Sequence, residues 1–375
     1  MENSTAEQLV SVMATDCVEC GLCAKDCTFL QEKGSPKSIA ERWQEQGPDP
    51  VLPFECSLCH LCTAVCPKDL DPAALFLALR RELTTMGLGR FPEHRAMKRY
   101  EALGRSSWFS WYSLPEGCDT VLFPGCAFSG SRPQVLQQLF TFLQGVIPGL
   151  GLVLDCCSKP SHDLGHHQDF EQAFNEMRRI LSAQGVRRVI VLCPNCDRVW
   201  REYGQTVECV NVYEILAEHW PLTRTTPDPE PLMVHDSCAL RFDERIQANV
   251  RRLLVNSGCT IRENTAAGRK TFCCGEGGSV PFLRPDLAEQ WSEKAVLRFE
   301  ETPVVTYCAG CVNFLGRKVE ASHVLDQLFH SGRVANVRPV RAPRTYWNRY
   351  RIKQLFRRRF QGGRRGTRRQ LMALL

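Results

Sequence analysis

Between residues 116 and 333, short apolar runs alternate with longer segments in which apolar residues recur at helical spacing. The apolar runs are TVLFPGC, LVLDCC and RVIVLCPNC in the first half of this region, and PLMVHDSC, KTFCC and PVVTYCAGC in the second. The helical segments between them are RPQVLQQLFTFLQ and FEQAFNEMRRILSAQG, then DERIQANVRRLLVNSG and DLAEQWSEKAVLRFEE. Strands that alternate with helices predict parallel β-sheets.

The two halves of this region have the same order of predicted elements and of cysteines. Equivalent cysteines are separated by 112, 117 and 115 residues. A near-constant offset predicts an internal duplication. The proline-rich stretch TRTTPDPEP at 223–231 is the predicted linker between the copies. Because ligands bind at the carboxyl ends of parallel strands, we expect the cysteines to line such sites.

Composition adds one anomaly, which is 21 cysteines in 375 residues. The start of the chain, MENSTAEQLV, lacks the basic and apolar segments of a secretory signal, so we expect a cytoplasmic protein. Disulfide frameworks belong mainly to short secreted chains. No apolar run reaches the ~20 residues that span a bilayer. The cysteines therefore indicate metal binding or redox chemistry.

Two cysteine quartets lie near the N-terminus. Residues 17–27 read CVECGLCAKDC and residues 56–67 read CSLCHLCTAVCP, each with the spacing C-x2-C-x2-C-x3-C. In this motif three cysteines bind one [4Fe-4S] cube and the fourth binds the neighbouring cube. The predicted ligands of cluster one are Cys17, Cys20, Cys23 and Cys66, and those of cluster two are Cys56, Cys59, Cys62 and Cys27. Two zinc sites are the alternative, although zinc ligands usually come as separated CxxC pairs.

Each later half contributes five further cysteines, in the pattern C, CC, CxxC. The first set is Cys126, Cys156, Cys157, Cys193 and Cys196, and the second set is Cys238, Cys273, Cys274, Cys308 and Cys311. Five thiolates exceed the four that a cubane cluster or a zinc ion accepts. The surplus favours a larger or unusual iron–sulfur centre, with a zinc site or a CxxC dithiol as the alternatives. His235 and Asp236, just before the second set, are candidates for proton delivery.

This pattern resembles the duplicated cysteine-rich CCG domain of the heterodisulfide reductase catalytic subunit. It is also similar to the iron–sulfur subunit of anaerobic glycerol-3-phosphate dehydrogenase. The resemblance implies a noncubane [4Fe-4S] cluster on each set of five cysteines, with the second set forming the catalytic site. Cys273, Cys274 and Gly275 keep the family motif, whereas Ser158 stands where the first copy should have glycine. The first site is therefore left open to an ordinary cubane, a zinc ion or a less stable cluster.

The C-terminal region is strongly basic. Residues 327–375 contain fourteen Lys or Arg and no Asp or Glu, although the whole chain has a net charge of only +6. Aromatic and arginine residues interleave in RTYWNRYRIKQLFRRRF, which predicts a basic amphipathic helix for a membrane surface or an acidic subunit. A disordered tail is the alternative. No nucleic-acid motif accompanies the charge, so we expect no nucleic-acid partner.

The sequence predicts an α+β multidomain protein, in which an N-terminal helical dicluster ferredoxin module precedes two duplicated α/β cysteine-rich domains. The predicted bounds are 1–70 for the ferredoxin domain, 71–115 for a helical connector, 116–226 and 227–333 for the cysteine-rich domains, and 334–375 for the basic tail.

We expect an iron–sulfur oxidoreductase subunit of an anaerobic electron-transfer complex. Disulfide reduction at the second cysteine set is the candidate reaction. The first alternative is an electron relay between a flavoprotein dehydrogenase and a membrane quinone-reactive or cytochrome subunit, at the cytoplasmic face of the membrane. A zinc-bound scaffold is the second alternative.

Overall fold

The computed structural model describes residues 5–221, 230–330 and 339–375. Most of the predicted linker at 223–231 and the predicted boundary at 333/334 lie outside these residues. The described chain forms an N-terminal helical region and two β-sheets with flanking helices.

The N-terminal region is helical, as predicted. Its α-helices are α1 (Ala6–Asp16), α2 (Leu22–Lys25), α3 (Thr28–Lys33), α4 (Pro36–Gln46), α5 (Leu61–Ala64), α6 (Pro72–Thr85) and α7 (Arg95–Arg105), with 3-10 turns at Leu52–Glu55 and Pro92–His94. Side-chain caps start three of these helices, because Thr5, Ser35 and Asp71 each accept a hydrogen bond from a backbone N–H in the first turn. Helices α1, α4 and α6 pack around one apolar core, and the cysteine loops contribute side chains to the same cluster.

The first sheet has six strands in the order β10-β1-β3-β2-β4-β5. Its elements up to residue 219 are β1 (Trp111–Leu114), β2 (Thr120–Phe123), α8 (Cys126–Ser131), α9 (Pro133–Val146), β3 (Gly151–Leu154), α10 (Lys159–Asp163), α11 (His167–Ala183), β4 (Arg188–Val191), α12 (Pro194–Tyr203), β5 (Glu208–Asn211) and α13 (Val212–His219). Strands β3, β2, β4 and β5 run parallel, as the alternating pattern predicts, whereas β1 and β10 are antiparallel additions. Strand β1 lies inside the predicted helical connector, so the connector ends earlier than expected.

The second sheet has four parallel strands in the order β7-β6-β8-β9. Its elements are β6 (Pro231–His235), α14 (Glu244–Asn256), β7 (Thr260–Arg262), α15 (Val280–Leu283), α16 (Pro285–Val296), β8 (Val304–Thr306), α17 (Ala309–Leu315), β9 (Ala321–His323) and α18 (Val324–Phe329), with 3-10 turns at Cys238–Leu240, Gly268–Lys270, Gly277–Ser279 and Leu297–Phe299. The predicted strand KTFCC is irregular, and the corresponding strand is β7, which ends before it. The paired cysteines therefore lie on a loop that is longer than the one in the first half.

The basic C-terminal residues are part of the first half and do not form a separate tail. They form α19 (Arg344–Arg359), β10 (Arg364–Gly366) and α20 (Arg368–Met372). The apolar face of α19 is buried in the main core through Ile352, Phe356 and Phe360, and β10 pairs with β1. A disordered tail was the wrong expectation for these residues, and the apolar face of α19 that was expected to contact a membrane or an acidic subunit packs against protein of the same chain.

The two halves share one continuous hydrophobic core. Side chains from α9 and α13 pack in the same cluster as side chains from α14 and α18. A buried ion pair crosses the interface, with Arg132 Nε 2.8 Å from Asp326 Oδ2 and each side chain only 3% exposed. This packing fixes the parallel strands of the two sheets relative to each other.

Candidate iron–sulfur centres

The cysteines assigned to cluster one line a small apolar pocket, here called the outer pocket. It is formed by the loop before α2, by α2 itself and by the loop after α5, and its four predicted ligands are Cys17, Cys20, Cys23 and Cys66. Gly21 adopts φ +75°, which turns the loop into α2. Burial, and then the neighbouring Cys17 thiolate, raise the pKa of Cys23 to about 11. Four converging sulfur donors in an apolar wall fit a cubane cluster.

A second pocket, the inner pocket, holds the other quartet. Its predicted ligands are Cys27, Cys56, Cys59 and Cys62. The remaining wall is mainly apolar, with Phe29, Phe76 and Trp291 among its residues. Burial raises the pKa of Cys56 to about 12 and the pKa of Cys27 further still. Thiols that are this disfavoured as free anions fit a site where a metal supplies the compensating charge.

The second set of five cysteines converges at the end of the second sheet and is called the second cysteine site. Cys238 follows β6, the pair Cys273 and Cys274 lies on the long loop, and Cys308 and Cys311 begin α17. In the order Cys238, Cys273, Cys274, Cys311 and Cys308, each thiol lies close enough to the next to shift its pKa. All except Cys238 are buried. Five thiols in mutual contact, four of them on buried residues, fit a polynuclear centre.

The backbone beside the paired cysteines has a left-handed residue in both halves. Gly275 adopts φ +99°, and a Cβ there would lie 2.4 Å from the carbonyl oxygen of Ala288. Ser158 occupies the matching position with φ 59° and ψ 24°. The first half thus keeps the turn without glycine, at some steric cost.

The first cysteine site comprises the matching five residues of the first sheet. Cys196 Sγ donates to Cys157 Sγ at 3.4 Å and also contacts Cys193, while Cys126 contacts Cys156. Arg349 from α19 is 4% exposed and lies beside the Cys126–Cys156 pair. Nothing in the amino-acid pattern connects the basic C-terminal residues with this site.

The sites lie next to one another. Cys273 of the second cysteine site lines the inner pocket. Burial is the main cause of the raised pKa of Cys59, and the negative charge of the Cys273 thiolate raises it further. On the other side, Cys308 is close enough to Cys193 to raise its pKa. The order along the molecule is therefore inner pocket, second cysteine site, first cysteine site. The outer pocket adjoins the inner one, because Cys62 lines both.

Glycines in the segment GEGGSV at 275–280 make the contact between the inner pocket and the second cysteine site. A Cβ at Gly278 would lie 2.6 Å from the carbonyl oxygen of Cys56, and a Cβ at Gly277 would lie 2.5 Å from that of Ser57. The Ser57 side chain in turn lies beside the thiols of Cys59 and Cys273 and favours the thiolate form of each. A dinucleotide fingerprint is the usual interpretation of a glycine-rich segment, so this role could be recognised only from the fold.

Two buried arginines serve the backbone of the cysteine loops. Arg80 of α6 is fully buried and donates to the carbonyl oxygens of Pro53 at 2.9 Å and Asp163 at 2.6 Å, to Gly278 at 3.0 Å, and to Cys56. Arg241 donates through Nε to the carbonyl oxygen of Cys59 at 2.9 Å. Isolated arginines carry no sequence signal for such a role, and both were missed.

Three polar residues near the sites differ in their surroundings. His235 is 3% exposed and lies with Cys274 and Cys311, with its ligand atom within 4.8 Å of theirs. The Asp236 carboxylate accepts two hydrogen bonds from Arg251, at 3.0 and 2.9 Å. Because this ion pair occupies the carboxylate, Asp236 is a poor candidate for the predicted proton delivery. The carboxylate of Glu276 fills the space that a side chain at position 310 would occupy, and burial with the nearby Cys308 thiolate raises its pKa to about 8.

Comparison with known proteins agrees with this arrangement. Residues 13–70 match the 4Fe-4S dicluster domain, and residues 120–199 and 232–316 both match the cysteine-rich domain CCG. The chain is 25% identical over 374 residues to one of the subunits of the dihydromethanophenazine:CoB–CoM heterodisulfide reductase of Methanosarcina barkeri, covering 83% of this chain and 89% of that protein. The chain belongs to the heterodisulfide reductase-like iron–sulfur proteins.

Two further relatives of this iron–sulfur protein extend the comparison. It is 25% identical over 334 residues to one of the subunits of the fumarate reductase (CoM/CoB) of Methanothermobacter marburgensis, covering 79% of this chain and 66% of that protein. It is also 25% identical over 313 residues to EtfAB:quinone oxidoreductase of Syntrophomonas wolfei, covering 72% of this chain but only 44% of that protein. The relatives are oxidoreductases or their subunits, so an electron-transfer role in a redox complex is indicated.

No helix in residues 5–221, 230–330 or 339–375 is long and apolar enough to cross a lipid bilayer. The three cysteines outside the sites, Cys118, Cys209 and Cys259, pack into hydrophobic clusters, as expected for structural cysteines.

Proposed function

We propose that this protein carries electrons from a redox partner to the second cysteine site, where a disulfide substrate is reduced to two thiols. The observation that carries the proposal is the position of Cys273, which belongs to the second cysteine site and also lines the inner pocket. Reduction of one disulfide consumes two electrons and two protons. A site in contact with a chain of one-electron carriers suits that requirement.

The proposed ligands follow the grouping of the thiols. Outer-pocket and inner-pocket cysteines would hold one [4Fe-4S] cubane each, and each cysteine site would hold one further iron–sulfur cluster, noncubane in the second site. Bound clusters supply one-electron chemistry, with potentials set by hydrogen bonds and burial. The four parallel strands of the first sheet, β3-β2-β4-β5, have the same order as β7-β6-β8-β9 in the second, which supports descent of the two cysteine-rich domains from one duplicated unit.

The protein's own residues have three tasks in this proposal. Apolar walls such as Phe29, Phe76 and Trp291 exclude water from the inner pocket. Ser57 and the positive charge of Arg241 favour the thiolate form of Cys59, opposing the effect of burial. Gly277 and Gly278 hold the inner pocket against the second cysteine site, which keeps the path short.

The test is turnover by protein purified without oxygen. Reduced viologen dye is the electron donor, and dye oxidation that depends on added CoM–CoB heterodisulfide or a simpler disulfide is the readout. Cys311→Ser should abolish this oxidation, and the matched variant Cys196→Ser in the first cysteine site should retain more of it. Disulfide-dependent rates that are equal in the two variants and the unmodified protein would refute a substrate site at the second set.

A relay function is the second candidate, and the likeness to EtfAB:quinone oxidoreductase favours it. In that case the partner would be a flavoprotein on one side and a quinone-reactive or cytochrome subunit on the other. The relay predicts no disulfide turnover by the isolated chain, together with dye-linked quinone reduction once the partners are added.

Metal analysis separates both candidates from a zinc scaffold. About sixteen irons per chain, with matching acid-labile sulfide, would correspond to four clusters, and about eight would leave only the two pockets occupied. Zinc without iron or visible absorption would exclude electron transfer altogether.

A further inference from the structure

A concentration of positive charge lies on the surface beside the first cysteine site. Helix α7, the turn Pro92–His94 and the loop around His166 enclose an open bowl of about 1240 Å³. Five cationic residues and two carboxylates line it, and these charged residues are Arg90, Arg95, Lys98, Arg99, Arg105, Glu101 and Asp169. The bowl therefore has a local excess of three positive charges.

Most of this charge is unpaired within the described part of the chain. Lys98 pairs with Asp169 at 3.3 Å, and Arg105 pairs with Glu101 at 3.6 Å. Arg90, Arg95 and Arg99 are exposed and have no carboxylate partner among the described residues. Three free guanidinium groups on one surface produce a field that attracts an acidic partner.

The opposite face of α7 contacts the first cysteine site. A Cβ at Gly104 would lie 3.0 Å from Cys156 Cβ and 3.7 Å from its Sγ. Glu101, which lines the bowl, also accepts hydrogen bonds from the backbone N–H of Ser161 at 2.8 Å and from its hydroxyl at 2.9 Å. Only the thickness of one helix, about 10 Å, thus separates a partner in the bowl from Cys156.

Two large apolar side chains are exposed on or just after α7, outside the lining of the bowl. Leu103 on α7 is 39% exposed, and Trp108 just after the helix is 68% exposed. A few exposed apolar side chains among cations are typical of transient protein interfaces, in which charge guides the encounter and a small apolar area holds it.

We propose that this bowl is the docking surface for a small acidic electron-transfer protein, which exchanges electrons with the first cysteine site. The inference rests on the proposed function in one respect, since that site must hold an iron–sulfur cluster. In each encounter the partner loses one electron and the chain gains one, and no bond forms or breaks. Electrons would thus enter at the first cysteine site as well as through the ferredoxin pockets.

Binding is tested with an acidic [2Fe-2S] ferredoxin as the probe, with both proteins oxidised so that no turnover occurs. Calorimetry should give a Kd that weakens steeply with ionic strength, because the contact is electrostatic. The variant Arg90→Glu/Arg95→Glu/Arg99→Glu should weaken binding roughly tenfold or more. The matched control Arg187→Glu/Arg351→Glu/Arg358→Glu makes the same change in net charge at exposed arginines elsewhere and should bind like the unmodified protein.

Stopped-flow reduction by the reduced ferredoxin gives the second readout. The bowl variant should slow by the same factor as its affinity falls, whereas reduction by dithionite and the iron content should be unchanged. Equal weakening by both variants, or binding that is insensitive to salt, would overturn the proposal. Capture of anionic vesicles or DNA through the same arginines, without ferredoxin binding, would also overturn it. A chain that lacks iron but still binds the probe would instead refute the proposed function.

Discussion

Arg80 offers the sharpest test of how the cysteine loops are held. Its guanidinium donates to four backbone carbonyls, which belong to the inner pocket loop and to both cysteine-rich halves. Burial lowers the pKa of Arg80 to about 10, so the group stays charged at neutral pH. In Arg80→Met all four carbonyls lose this donor. At about 1 kcal/mol or more for each, the loss is about 4 kcal/mol.

Hydrogen–deuterium exchange measures this loss where it occurs. A cost of about 4 kcal/mol corresponds to exchange roughly a thousandfold faster. The affected amides should be those of residues 54–58, 161–165 and 277–280. The control is Arg81→Met, one residue along α6, whose side chain bonds Tyr203 Oη at 2.9 Å and lies in a partly open cleft. Exchange rates at these amides that differ by less than about tenfold between Arg80→Met and Arg81→Met would refute the reasoning.

Three further outcomes follow from the same structure. Ser158→Gly should raise the free energy of unfolding by up to about 1 kcal/mol, because it relieves a left-handed conformation. Ser158→Ala should change the free energy of unfolding by less than about 0.5 kcal/mol, since the Ser158 hydroxyl has no hydrogen-bond partner among the described residues. Urea denaturation midpoints measure both effects, and a destabilised glycine variant would contradict the prediction. Burial lowers the pKa of His94 to about 4, so the unfolded chain binds its proton first and stability falls as the pH drops from about 6.5 towards 4. Between about pH 7.5 and pH 5.5, His94→Gln should therefore lose about 1 kcal/mol less than the unmodified protein, and equal losses would argue against this. Cys273→Ser should lower the iron content by about four atoms per chain, while Cys118→Ser should leave it unchanged, and equal iron contents would remove Cys273 from the ligand set.

Local patterns predicted much of the fold. The parallel strands β2, β3, β4, β6 and β8 coincide with short apolar runs, since a buried strand needs little more than such a run. The two cysteine quartets also line two pockets, because three of the four cysteines in each group lie within one short loop, and their assignment as cluster ligands stays a prediction. The prediction of a strand at KTFCC was wrong. Its composition is typical of a buried strand, but the edge of β6 that it would pair with is already paired with Thr260–Arg262.

Long-range contacts could not be predicted from the sequence. Arg80, Arg241 and Arg349 lie far along the chain from most of the groups that they contact, and nothing in their neighbours distinguishes them from surface arginines. The C-terminal residues had the composition of a membrane-binding helix, yet Phe356 is fully buried against the first half. Charge and periodicity identify an amphipathic helix but do not reveal what covers its apolar face.

The position of β10 and α20 has a consequence for biogenesis. Arg368 donates to Asp155 Oδ2 at 2.8 Å, and Asp155 is the residue directly before the Cys156–Cys157 pair. The ion pair between Arg368 and Asp155 can form only after the ribosome has synthesised residue 368. The eight N-terminal cysteines, by contrast, lie within the first 66 residues. The outer pocket is lined only by residues up to Pro72 and can therefore form early, whereas the inner pocket also needs Trp291 and the first cysteine site is completed last.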